Sequence, residues 1–189
     1  MNPPVLNVLG IIGRSGSGKT TLLTALLPRL ARLGLLVSTV KHTHHAVDLD
    51  RPGKDSWRHR EAGAHEVLLV GDQRWALLHE RRATPPDEGG LAELLPRLAP
   101  VDLVLVEGFA RTPGPRLEVL RQQVAAQPGR RPLWPGDAGV EAVASDIRPP
   151  GCDRHWLQLD DHAAICGWIR QRFQLCNDID PSACTDNIS

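Results

Sequence analysis

Residues 13–20 read Gly-Arg-Ser-Gly-Ser-Gly-Lys-Thr and match the pattern G-x-x-x-x-G-K-[ST] at every fixed position. An apolar segment, 5–12, precedes the run and a leucine-rich segment, 22–33, follows it. That order demands a buried strand, a tight phosphate-cradling turn and a helix, and so narrows the chain to an α/β architecture. Gly13, Gly16 and Gly18 let the backbone pass close to phosphate oxygens, and Arg14, Ser15 and Ser17 fill the turn between them. Lys19 would bring a point charge to the β- and γ-phosphates and Thr20 a hydroxyl to Mg²⁺, with Thr21 next in the opening helical turn. The helix beginning here adds the positive end of its dipole.

The rest of the chain supports the same class. Strand-like segments recur at 5–12, 35–40, 66–70, 75–79, 103–106, 117–120 and 140–144. Leu22, Leu23, Leu26, Leu27, Leu30 and Leu33 repeat at helical spacing, with Pro28 expected to kink their helix, and 56–64, 91–98 and 161–173 are further helix candidates. Asp160 or Asp161 is placed to cap the last of these. Strands alternating with helices imply a three-layer fold, a mainly parallel sheet with helices on both faces. Segments 66–70 and 75–79 break the rhythm: only four residues join them, which suits a hairpin, expected as an antiparallel edge strand open to self-association. A single nucleotide-binding domain over 1–175 with a mobile tail, 176–189, is expected, and the proline-rich stretches 112–115 and 127–135 read as surface loops.

Twenty-two basic and twenty-two acidic residues cancel, leaving no global charge to drive binding to nucleic acid or an anionic membrane. Apolar runs fall short of the roughly 20 residues that span a bilayer, and no basic leader precedes the first strand, so a cytoplasmic protein is expected. Cys152, Cys166, Cys176 and Cys184 form no C-x-x-C pair and read as free thiols.

Ligands of an open parallel sheet gather beyond the carboxyl ends of its strands. Besides 13–20, two clusters meet that test. Glu107-Gly108 ends the run DLVLVEG and resembles a Walker B element, which delivers a carboxylate to Mg²⁺. Asp102 competes for the role, but it stands at the amino end of the strand, about 16 Å away at about 3.3 Å per residue, so Glu107 is the choice. The other cluster, after 35–40, carries Lys41, His42, His44, His45, Asp48, Asp50, Arg51, Lys54, Asp55, Arg58, His59 and Arg60. It sits where a switch segment would meet γ-phosphate, with Lys41 and His42 near the anion and Asp48 or Asp50 near Mg²⁺. The histidines lack familiar zinc spacing, and Lys54, Arg58 and Arg60 either grip a second phosphate or form a solvated face.

Taken together, the phosphate loop, KHTHHAVDLDRPGKDSWRHREAGA at 41–64, QRWAL at 73–77, VEGF at 106–109 and AVASD at 142–146 resemble the molybdopterin-guanine dinucleotide biosynthesis adapter family, MobB. The resemblance spans 5–146 and implies a P-loop GTPase-like fold, GTP with Mg²⁺, weak intrinsic hydrolysis and a homodimer. It also implies an accessory role beside the guanylyltransferase that joins GMP to molybdenum-bound molybdopterin, contact with molybdenum-insertion proteins, and molybdopterin as a candidate ligand. Where related deviant Walker A ATPases place a signature lysine, this chain has Arg14, and Ser15 replaces a glycine. No N-K-x-D sequence reads guanine, and Asp146 is the substitute considered. For hydrolysis Lys19 and Glu107 are the candidate catalytic groups, and nothing stands out to position water. Two other functions use the same residues: a small-molecule kinase with Asp48, Asp50 or Glu107 as base, and a nucleotide-dependent metallochaperone relying on His42, His44 and His45.

Overall fold

The computed structural model describes residues 6–43, 50–80, 90–109 and 112–175. In chain order the elements are β1 (Val8–Ile12), α1 (Lys19–Arg32), β2 (Val37–Lys41), α2 (Asp55–Glu61), β3 (Glu66–Val70), β4 (Trp75–His79) and α3 (Gly90–Leu94). They continue with β5 (Leu103–Glu107), β6 (Arg116–Leu120), α4 (Gln122–Ala125), β7 (Val140–Ser145), β8 (His155–Gln158) and α5 (His162–Phe173). The chain divides into two compact units, 1–42 with 88–189, and 43–87.

The larger unit is built on a six-stranded sheet in the order β2-β5-β1-β6-β7-β8, every pairing parallel. β1 and β5 are buried along their whole length, as near-continuous apolar runs in the middle of a doubly covered sheet must be. Alternation sorts their side chains. Leu9, Ile11, Leu103, Leu105, Leu117 and Val119 face one layer, where Leu22, Leu26 and Leu30 of α1 and Ile165 and Ile169 of α5 cover them. Val8, Val104 and Val106 face the other, against Phe109, Leu91 and Leu95. Each of the buried α1 leucines contributes about 1.5–3 kcal/mol, far more than helix propensity supplies. Pro28 lies inside α1 without ending it.

The smaller unit holds α2 packed on β3, and β3 paired with β4 in antiparallel register from Glu66–His79 to Val70–Trp75. The hairpin is a separate two-stranded sheet and not an edge of the parallel one. Its short turn lets each strand satisfy the other's ladder directly.

Other departures are local. β8 and α4, only four residues each, carry too little pattern to be read from sequence. Thr112, expected on a surface loop, is buried, its hydroxyl donating to the Phe109 carbonyl at 3.3 Å. Stretch 127–135 leads into a 3₁₀ turn at Trp134–Gly136 and is pinned to the sheet. Among the described residues no helix is long and apolar enough to cross a membrane.

Candidate functional site

Parallel strands point their carboxyl ends the same way, so the segments after β1, β2, β5, β6 and β7 share one edge of the sheet. The phosphate loop stands there. Gly13 has a positive φ of 144°, and a Cβ on it would strike the Val119 carbonyl and lie 2.8 Å from Ser17 Oγ, so the loop passes over β6 at a distance only glycine permits. Ser17 is buried, and its hydroxyl has no hydrogen-bond partner among the described residues. Gly16 and Gly18 are also left-handed.

The start of α1 is the most telling feature. Gly18 is its N-cap, no described side chain caps it, and its first turn contains no acidic residue. α5 shows the usual solution: Asp161 Oδ1 accepts from Ala164 N at 2.9 Å. At α1 the amide donors are left for an anion, as a phosphate-binding loop requires. Lys19 Nζ arches back to donate to the carbonyls of Gly13 at 2.9 Å and Arg14 at 3.1 Å. Burial lowers its pKa from the ordinary lysine value, Glu107 partly offsets this, and the Lys41 charge adds to the lowering.

Glu107 sits at the end of β5, level with Ile11 of β1 and Lys41 of β2. Thr20 Oγ1 donates to its Oε1 at 2.7 Å, and Lys41 Nζ lies 3.9 Å from the same oxygen. A hydroxyl beside a buried carboxylate is the hard-oxygen pair that suits Mg²⁺, so these residues fit that ion. Gly108, at φ 89°, leaves room for the His42 carbonyl, which a Cβ would meet at 2.8 Å. His42 N donates to the Glu107 carbonyl at 2.8 Å, and its ring rests 4.6 Å from that of Phe109. Asp102 lies at the opposite end of β5, where its carboxylate accepts from Leu36 N at 2.7 Å.

The structure thus brings together Gly13 to Thr21, Lys41, His42 and Glu107. Asp146 follows β7 on the same edge, with Oδ1 accepting from Gln122 N at 2.9 Å and Ile147 N at 3.0 Å, where it anchors the start of α4. Asp50 belongs to the smaller unit, and its two oxygens accept from Ser56 Oγ and Arg60 Nε, both at 2.8 Å. Arg60 also pairs with Glu80 at 2.9 Å, so Asp50 and Arg60 join α2 to the end of the hairpin. Asp48, His44, His45, Cys176 and Cys184 lie outside the described residues. Cys152 and Cys166 are free and buried.

Sequence reasoning missed three contributors. Arg121 directly follows β6 and lays its guanidinium along Gly18, Nε 3.3 Å from where a Cβ would stand; the strand-end rule that found Glu107 would have found it too. Arg130 donates to the Ser15 carbonyl at 2.6 Å, and Arg14 Nε donates to the Arg131 carbonyl at 3.1 Å, so Arg14 clamps the loop. Glu118, 0 % exposed, accepts from Leu133 N and Trp134 N at 2.9 and 2.8 Å and fixes the segment that carries both arginine contacts. Burial raises its pKa, while those two amides and the Arg14 charge partly oppose the shift.

The family model described as molybdopterin guanine dinucleotide synthesis protein B matches residues 8–146. A molybdopterin-guanine dinucleotide biosynthesis adapter protein of Haemophilus influenzae is 42% identical over 162 residues, covering 86% of each chain. One of the same description from Escherichia coli is 36% identical, over 92% of this chain and 97% of its own length. A crystal structure of molybdopterin-guanine biosynthesis protein B superposes with a TM-score of 0.66 at 29% identity, covering 88% of this chain and 99% of that one. With the match running from the first strand through Asp146, the chain belongs to the MobB family.

Proposed function

We propose that this protein is a GTP-binding adapter in molybdopterin guanine dinucleotide biosynthesis, assisting the guanylyltransferase and the molybdenum-insertion proteins, with slow hydrolysis of its nucleotide. The observation that carries nucleotide binding is the uncapped N-terminus of α1 behind a three-glycine turn, a site whose donors call for phosphate. The pathway follows from the names of its relatives.

In this reading the loop amides and Lys19 hold the phosphates, and the ammonium leaves the Gly13 and Arg14 carbonyls to do so. Thr20 through its hydroxyl and Glu107 through its carboxylate would hold Mg²⁺. Mg²⁺ supplies neutralisation of phosphate charge. Arg121, along Gly18, adds a cation beside the loop, and Asp146, two strands away on the same edge, is the candidate reader of guanine.

A homodimer is part of the proposal. Leu68, Val70, Trp75 and Leu77 share one face of the hairpin and are 57, 76, 69 and 45% exposed, a contiguous apolar surface that a second copy would cover.

Isothermal titration with non-hydrolysable GTP and ATP analogues, each with and without Mg²⁺, tests the nucleotide assignment. Preference for GTP that strengthens with Mg²⁺ is expected. Equal or better ATP binding would reject the guanine assignment and turn attention to acceptor phosphorylation.

A further inference from the structure

The described part of the 43–87 unit has almost no core of its own. Among its described residues Val67 is the one buried hydrophobic side chain, and Asp50 the one buried charged group. A two-stranded hairpin is marginal in water, and units this small hold together with help from disulfides, metals or oligomerisation. No cysteine lies in the segment.

At the end of the hairpin away from its turn, Glu66 and His79 are directly paired across the strands, and His65 immediately precedes β3. The His65 and His79 rings meet edge to face with centroids 4.6 Å apart. His79 Nδ1 stands 2.7 Å from Glu66 Oε1, and one donor atom from each of the three side chains lies within 4.8 Å of the other two. We propose that His65, Glu66 and His79 form a binding site for a divalent transition-metal ion, zinc above all, which clasps the open end of the hairpin.

Donor chemistry, spacing and backbone pairing all suit such an ion. Two imidazoles with a carboxylate suit a borderline ion such as Zn²⁺, whereas Mg²⁺ and Ca²⁺ favour all-oxygen sets, so the site differs in kind from the Thr20–Glu107 pair. The geometry is close: tetrahedral zinc with bonds of about 2.0–2.1 Å holds its donors about 3.3 Å apart. The His79–Glu66 contact need open only by about 0.6 Å, and the widest separation close by at most about 1.5 Å, within reach of side-chain rotation. Finally, backbone pairing has already brought Glu66 and His79 together, so little order remains to be imposed on binding. Partial exposure of His79 and Glu66, 30 and 41% of their side chains, leaves a fourth position to water or to a donor from another molecule.

The test uses the full chain, stripped by chelator and titrated with Zn²⁺ alone and with Co²⁺ alone, with the thermal midpoint followed in parallel. About one equivalent per chain is expected, with a Co²⁺ spectrum lacking thiolate charge transfer, and with metal raising the midpoint. His65→Gln and His79→Gln should each weaken binding about tenfold or more, since loss of even an outer-shell partner costs a metal site about 10–100-fold. Lys19→Ala, on the phosphate loop, should bind metal like the wild type. Absence of stoichiometric binding, a thiolate spectrum, or undiminished affinity in both histidine variants would overturn the site. Because the titration contains no nucleotide, its outcome is separate from that of the GTP assignment.

Discussion

Replacing Glu118 by alanine leaves two partly buried backbone donors, Leu133 N and Trp134 N, without the acceptor they now reach at 2.9 and 2.8 Å. A stranded buried donor costs about 1–3 kcal/mol and a partly buried one falls within that range, so the gross loss is at most about 6 kcal/mol. Release of the carboxylate's own burial penalty, evident in its raised pKa, offsets part of that, and the expected net loss is about 3 kcal/mol. In a chain of this size that lowers the thermal midpoint by about 6–12 °C. Glu118→Gln keeps a carbonyl acceptor without a charge to desolvate, and should cost at most about 1 kcal/mol. The pH dependence has a definite sign. A carboxyl whose folded pKa is raised gives stability that is present below its unfolded value of 4.5 and lost as pH rises through the folded value, so Glu118→Gln should gain on the wild type from acid to neutral pH. Urea unfolding of the three proteins across that range is the assay. Since segment 130–134 holds Ser15 and Arg14, Glu118→Ala should also weaken GTP binding while Glu118→Gln leaves it near wild type. Alanine within about 0.5 kcal/mol of wild type, or glutamine as damaging as alanine, would refute the reasoning.

Lys19→Ala should lose about 2–3 kcal/mol of GTP binding, a charge-assisted phosphate contact, with unfolding free energy little changed; wild-type affinity by calorimetry would remove it from the site. Glu107→Gln should retain Mg²⁺-free nucleotide binding and lose the Mg²⁺-dependent increment, and an unchanged increment would remove Glu107 from the ion's site. Gly108→Ala meets both a left-handed φ and the His42 carbonyl, and should destabilise by about 1–3 kcal/mol in chemical denaturation. Paired charges at Leu68→Lys and Trp75→Lys should convert a dimer to monomer in sedimentation with GTP binding intact; a persistent dimer would place the interface elsewhere.

The sequence by itself determined the strand–loop–helix around Lys19, the parallel sheet, Glu107 as the strand-end carboxylate, and the family. These are local signals: a fixed spacing of glycines, a run of leucines every three or four residues, a polar residue ending an apolar strand. Tertiary structure decided what depends on distant partners. Glu118 is one charge in the apolar strand RLEVL, and only folding brings it Leu133 and Trp134 and, through that segment, the loop at Ser15. Asp50 looked like a ligand for magnesium until Arg60 and Ser56 took both its oxygens. The hairpin was legible as a hairpin, but its separation from the main sheet was not, because strand patterns specify a partner's chemistry and not which edge supplies it. His65 and Glu66 are adjacent in the sequence but His79 lies beyond a turn, and antiparallel register alone brings it to them.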